Sequence, residues 1–361
     1  MPSPIRVALI GYGYAGKTFH APLIRSVPGL ELATVVSRDA AKVHADLPEV
    51  AVAADVHAAI ADPNTALVVI ASPNDTHAPL ARAALEAGKH VVVDKPFALD
   101  LAQARELAAV AEQQGKLLSV FQNRRWDSDF LGVQQAMANG VLGEVKHVES
   151  HIDRFRPQVR VRWREQPGAG SGIWYDLGPH LIDQALLLFG LPDRVLASLA
   201  IQREGGEVTD WVHVVLTYGA RRVILHASML VAGGSARFTV HGTQASLIKP
   251  QADRQEAQLL AGIRPGDATW GEDPDPILIY DSEGKVTKLP APLGDQRQYY
   301  IALRDAVLGT GANPVTAAQA ITVMAVLEAA MESSASGQSV ALALSEQECR
   351  AWLPQIRPES N

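Results

Sequence analysis

The tightest constraint on this chain lies at its start, where Ile5-Arg6-Val7-Ala8-Leu9-Ile10 runs directly into Gly11-Tyr12-Gly13-Tyr14-Ala15-Gly16. A near-continuous apolar run, then G-x-G-x-x-G, then a helix-compatible segment from Lys17 to Ser26 is the order of a buried parallel strand, a tight turn and a helix N-terminus. Gly11 permits the sharp turn, Gly13 lets the backbone approach a pyrophosphate, and Gly16 lets helix and strand pack closely. The helix N-terminus presents unpaired N–H groups and the positive end of its dipole to phosphate. Glycines in this spacing also mark ordinary turns; the strand before them and the helix after them select a dinucleotide site. Gly11, Tyr12, Gly13, Tyr14, Ala15 and Gly16 are the expected cofactor contacts of this turn.

Leu30 to Val36 reads as a second strand, closing in Ser37-Arg38-Asp39. Its end lies about twenty residues beyond the glycine turn, where an acidic side chain would bind the adenosine ribose. Here Ser37 and Arg38 come first, and a hydroxyl with a guanidinium fork suits a ribose 2′-phosphate. NADP is therefore the expected cofactor. Asp39, one residue on, keeps NAD open as the alternative, and a merely solvated Arg38 is the plain reading beside both.

Leu67 to Ala71 is another buried-strand run, ending in Ser72-Pro73-Asn74-Asp75-Thr76-His77, residues that suit a turn and a helix cap. A helix from Pro79 to Ala87 stops at Gly88, and Val91-Val92-Val93 enters Asp94-Lys95-Pro96. A helix from Leu101 to Gln114 then precedes a strand from Leu117 to Phe121, closed by Gln122. Strand and helix alternate throughout residues 1–123, so a doubly wound parallel sheet is expected, with ligands at the carboxyl ends of its strands. Ser72, Pro73, Asn74, His77, Asp94, Lys95 and Gln122 fall near such ends and join the cofactor candidates.

Beyond residue 123 the pattern changes. A helix near 129–139 and strand-like alternation from Glu144 to Phe155 lead to a helix containing His180. Strand candidates follow at 194–203, 209–218, 221–231 and 235–241, with Tyr218-Gly219-Ala220-Arg221 as a hairpin turn. Runs of neighbouring strands indicate a mostly antiparallel sheet with helices on one face. Residues 251–276, rich in Pro, Gly and charge, read as a long loop, and 314–331 as a strongly apolar helix. The expectation is an α/β chain of two domains, 1–123 and 124–361.

Three stretches carry residue types that chemistry needs. Lys95 follows a buried strand and precedes a proline; desolvation there would lower its pKa and make it a proton donor or acceptor. A strand-end lysine is ordinarily just exposed. In the segment from Gly170 to Asp183, a helix starting near Leu177–Pro179 would put His180 and Asp183 on one face, with Asp176 near its N-terminus. A carboxylate beside an imidazole fixes its tautomer and raises its basicity, giving a proton-transfer pair. A helix cap and a packed histidine are the plain alternative. Without an HExxH or Cys/His set, no metal is expected. Finally, Arg154, Arg156, Arg160, Arg162 and Arg164 surround Trp163. Trp163 and Arg164 are candidates to line a cofactor or substrate cleft through charge and stacking, against a solvated basic loop.

Charge and length narrow the partners. The net charge of −7 argues against a nucleic-acid or anionic-membrane surface, and no apolar run reaches a membrane-spanning length. Met1-Pro2-Ser3-Pro4 leads into the first strand with no signal-like stretch, and the lone Cys349 excludes an intrachain disulfide, so a cytoplasmic protein is expected.

With IRVALIGYGYAG, ASPNDTH, VVVDKP, GSGIWYDLGPHLIDQAL and HGTQASL assembled, the chain resembles the Gfo/Idh/MocA oxidoreductase family essentially from end to end. GYGYAGKTFHAPL, SRD and RVRWRE look closest to a branch containing NADP-dependent scyllo-inositol dehydrogenases. The resemblance implies an N-terminal Rossmann domain and a C-terminal α/β domain whose large open sheet often mediates assembly, hence a homodimer or homotetramer. It implies hydride transfer between nicotinamide and a secondary hydroxyl or carbonyl of a sugar, polyol or cyclitol. The family's catalytic lysine, in its E-K-P motif, falls on Lys95, and its paired acid and histidine fall on Asp176 and His180. Asp94 replaces the usual glutamate, keeping the carboxylate on a shorter arm. The competing functions are a non-catalytic NAD(P) or sugar sensor, and a reductase of a non-sugar carbonyl or alkene. The intact Lys95–Asp176–His180 set speaks against the sensor.

Overall fold

In the computed structural model, which describes residues 3–352, the apolar run at the start forms strand β1 (Ile5–Ile10), with Val7, Ala8 and Leu9 fully buried. Burial on both faces is what a central strand of a parallel sheet requires. It pairs in parallel with β2 (Leu30–Val36), and β3 (Ala51–Ala53) continues that edge. On its other side lie β4 (Leu67–Ile70), β5 (His90–Val93) and β6 (Leu118–Val120), all parallel. The order β3-β2-β1-β4-β5-β6 reverses direction at β1, which opens the loops after β1 and β4 to a ligand. Three-residue β3 and its flanking helices Ala40–Asp46 and Val56–Ala61 are too short to have stood out in the sequence.

The second sheet has eight strands: β7 (Val145–His151), β8 (Arg194–Ala200), β9 (Trp211–Tyr218), β10 (Arg221–Ser228), β11 (Phe238–Gly242), β12 (Ser246–Lys249), β13 (Ile277–Tyr280) and β14 (Val286–Leu289). Its order is β14-β13-β12-β11-β7-β10-β9-β8, antiparallel except for the β7–β10 pair. The hairpin expected at Tyr218–Arg221 joins β9 to β10 through two residues. Val148, Val212, Val214, Val223, Leu225 and Val240 point to one face and pack with Trp174, Leu177 and Leu181 of the helix Gly172–Phe189. Their alternates, His151, His213 and His226 among them, occupy the other face.

Two compact units result. One gathers the chain up to Asn123 with Gln255–Trp270 and Asp295–Ala320; the other gathers Arg124–Arg254, Gly271–Gly294 and the chain from Ile321. The stretch expected as a second domain, 124–361, thus returns twice to the first unit, and its end, 353–361, lies outside the described residues together with Met1 and Pro2. Part of the expected loop 251–276 is the helix Gln255–Leu260, which makes the first return, and Arg297–Val307, unread in the sequence, makes the second. No helix among the described residues is long and apolar enough to cross a membrane.

Candidate active site

At the glycine turn, main chain crowds main chain. A Cβ on Gly16 would stand 2.1 Å from the Gly11 carbonyl oxygen, and one on Gly11, where φ is +99°, 2.7 Å from the Ala71 carbonyl oxygen. Gly13 is the opposite case: exposed, with nothing within 4 Å of the missing Cβ. The helix that follows opens as a π-turn, Gly16–His20, before the α-helical Ala21–Arg25. Of the expected neighbours, Tyr12 turns inward, its hydroxyl reaching Asp46 at 3.3 Å. Burial first, and Asp46 second, push its phenol up to about 12, so only its main chain is offered to a ligand. Tyr14 stays largely exposed, its hydroxyl donating to Glu256 at 2.6 Å, and Ala15 is half-buried beside it.

After β2, Asp39 caps the helix Ala40–Asp46, its carboxylate accepting from the Lys42 N–H at 2.9 Å, and its own N–H donates to Ser37 Oγ. Arg38, between them, is exposed and has no ion pair among the described residues. The loops after β4 and β5 are joined by His77. One ring nitrogen faces the Pro96 carbonyl at 2.8 Å and the other the Ser72 carbonyl at 3.0 Å. His77 is 1 % exposed and burial pushes its pKa down, so this expected cofactor contact acts by holding the two loops together. Ser72 Oγ meets Thr76 Oγ1 at 2.5 Å, and Pro73 and the buried Asn74 start the short turn Asn74–Thr76.

Asp94 is buried and accepts from the Lys95 N–H at 2.8 Å, while the Lys95 side chain is half-buried. Burial alone would raise the Asp94 carboxyl; His20, Lys95 and His77 outweigh it and hold the carboxyl below its usual range. His20 lies 3.9 Å from Asp94, too long for a hydrogen bond, and its other nitrogen is 2.6 Å from the Tyr300 hydroxyl. Both are fully buried, and a pair 280 residues apart leaves no local signal in the sequence. At the end of β6, Gln122 is buried and its Oε1 accepts no hydrogen bond among the described residues. An open main-chain face at Gly13 and, among the described residues, an orphaned acceptor at the carboxyl end of β6 in the same sheet fit a bound dinucleotide.

The second unit carries the other candidates. The helix expected to start near Leu177–Pro179 starts at Gly172, so Pro179 lies inside it. Proline's missing N–H removes one backbone bond, but burial of Ile173, Trp174 and Leu177 holds the earlier turns. Asp176 and His180 therefore sit one helical turn apart, with His180 5 % exposed. Asp183 is not paired with His180 as the spacing suggested. Its carboxylate takes both arms of Arg125, at 2.8 and 2.6 Å, in a buried bidentate pair.

The arginine-rich stretch divides between the two readings. Arg154 and Arg164 approach Asp176 at 3.8 and 3.5 Å, with Arg164 also stacked over Trp163. Arg162 pairs with Glu165, which also binds Arg203, and Arg160 is exposed. Arg162, Arg164, Glu165, Asp176, Arg203 and Thr209 line a narrow cleft. Sequence reading missed Arg125, Glu165 and Arg203, each recognisable only through a partner far along the chain.

Two family models match the chain: an oxidoreductase family NAD-binding Rossmann fold over residues 5–122, and an oxidoreductase family C-terminal alpha/beta domain over residues 134–342. The chain is 55 % identical to the uncharacterized oxidoreductase YdgJ of Escherichia coli, over 95 % of this chain and 100 % of that one. It is 36 % identical to the scyllo-inositol 2-dehydrogenase (NADP(+)) IolW of Bacillus subtilis, over 94 % and 96 %. A crystal structure of a Klebsiella pneumoniae protein, 59 % identical, superposes with a TM-score of 0.93 over 98 % of this chain and 100 % of its own.

Proposed function

The chain belongs to the Gfo/Idh/MocA oxidoreductase family, and we propose that it is an NADP-preferring dehydrogenase acting on a secondary hydroxyl of a sugar, polyol or cyclitol, scyllo-inositol among them. The observation that carries the cofactor preference is the end of β2. The Asp39 carboxylate, which would bind bare ribose hydroxyls, caps a helix, while the Arg38 guanidinium is exposed and has no ion pair among the described residues. A guanidinium forks onto phosphate oxygens, so this arrangement favours a 2′-phosphate. The substrate class follows the similarity to IolW.

When bound, the nicotinamide supplies or accepts the hydride. The main chain around Gly13 holds the pyrophosphate, and Arg38 with Ser37 holds the ribose phosphate. His180 takes the hydroxyl proton during oxidation and returns it during reduction. Lys95 stabilises negative charge developing on the substrate oxygen. Asp176, one turn from His180, orients the substrate or the ring. The protein works in the cytoplasm as a homodimer or homotetramer built through its eight-stranded sheet.

NADPH and NADH titrated separately into wild-type protein and Arg38→Ala test the first part. Losing a charge-assisted contact to phosphate should weaken NADPH about tenfold or more and leave NADH unchanged; equal effects on both would overturn the assignment. With scyllo-inositol and NADP, His180→Ala should lower turnover by about 10²–10⁴ while cofactor affinity stays the same. NADPH binding without turnover of any polyol or sugar by the wild type would favour the sensor.

A further inference from the structure

One carboxylate in the second unit departs from the pattern its neighbours follow. The buried Asp129, Glu165, Asp183 and Asp210 each face an arginine, at 3.2, 2.9, 2.6 and 2.9 Å. Asp153, with 2 % of its side chain exposed, has only histidines as ionisable partners among the described residues. His151 Nδ1 lies 3.2 Å from its Oδ2 and His226 Nε2 lies 3.6 Å from its Oδ1. Oδ1 is buried and accepts no hydrogen bond among the described residues. Burying a carboxylate oxygen without a donor is unfavourable, so such an atom calls for a ligand.

We propose that His151, Asp153 and His226 bind a divalent transition-metal ion of the zinc type. The residues meet because β7 and β10 are parallel neighbours with His151 directly opposite His226, and Asp153 follows two residues after His151. One donor atom from each lies within 4.8 Å of the others. Tetrahedral bonds of about 2.0–2.1 Å would bring the donors to roughly 3.3–3.5 Å from one another, within reach of side-chain rotation.

Glu149 supplies the remaining piece. It lies 3.0 Å from His151 Nε2, on the side of the ring away from Asp153. A metal-bound histidine characteristically donates its other ring N–H to a carboxylate, which fixes the tautomer and strengthens the ligand. Two carboxylates also neutralise a divalent ion, and three protein ligands leave a fourth position for water. The cluster lies on the face of the sheet opposite the helix that carries Asp176 and His180, so the ion has no part in the proton transfer assigned to them.

Tag-free, full-length protein stripped with EDTA and titrated with Co²⁺, followed by visible d–d absorption, tests the site. One Co²⁺ per chain is expected, with Zn²⁺ abolishing the band by displacement. His226→Ala and Asp153→Asn should each weaken Co²⁺ at least tenfold, and Glu149→Gln about 10–100-fold. His241→Ala, on the same sheet but outside the cluster, should leave binding unchanged. Circular dichroism identifies which ligand variants fold, and either one suffices for the comparison. Absence of a saturable band, half an ion per chain, or unchanged affinity in a folded ligand variant would overturn the proposal.

Discussion

In the first unit the candidate site is made chiefly of main chain. The glycine turn is closed at Gly11 and Gly16 by carbonyl oxygens that leave no room for a side chain, and the buried His77 ring sits between the Pro96 and Ser72 carbonyls. In the second unit the corresponding order comes from side chains: Arg125 with Asp183, Arg203 with Glu165 and Asp210, Arg154 and Arg164 around Asp176. Main-chain geometry tolerates no added atom but is indifferent to charge. Ion pairs tolerate changes of shape but fail when one partner is removed. A site for a fixed cofactor suits the first means, and a cleft that must match a particular substrate suits the second.

The largest test of that contrast is Gly16→Val. A Cβ 2.1 Å from a carbonyl oxygen forces the turn open, and NADPH affinity by fluorescence titration should fall by at least about a hundredfold, about 2.7 kcal/mol. Unchanged affinity would mean that the close approach does not shape the site. Next comes Asp183→Ala, which leaves the Arg125 guanidinium buried without its carboxylate. Chemical denaturation should show a loss of about 3–5 kcal/mol. A loss below about 1 kcal/mol would break the comparison from the other side.

The smallest effect sharpens it where charge does enter the first unit. Asp94 has its folded pKa held below its unfolded value, so its carboxylate contributes stability above the unfolded pKa of about 3.9 and loses it as pH falls through the folded pKa. Wild type should therefore melt higher than Asp94→Asn at pH 7, and the gap should close on acidification below about pH 4. A gap independent of pH would show that Asp94 acts there through packing alone.

Much of the first sheet was legible because a parallel strand buried on both faces leaves an apolar run, and its ends carry turn residues in sequence. Val91-Val92-Val93 followed by Asp94-Lys95-Pro96 is such a case. The hairpin at Gly219-Ala220 was equally local. The start of the His180 helix was misplaced because Pro179 looked like a first residue, whereas contacts made by Trp174 and Leu177 set the true one. That 255–270 and 295–320 return to the first unit was not legible, since a short amphipathic helix does not announce which unit its apolar face will join.

By itself the sequence determined five of the six strands of the first sheet with their turns, the glycine geometry for a phosphate and the family to which the chain belongs, because these depend on neighbours within a few residues. Tertiary structure alone decided that Asp183 serves Arg125 rather than His180, that Asp39 is a helix cap beside an exposed Arg38, and that His151 faces His226 across two strands. Spacing can bring a carboxylate within reach of several partners. Which one it takes depends on burial and on charges delivered by distant segments.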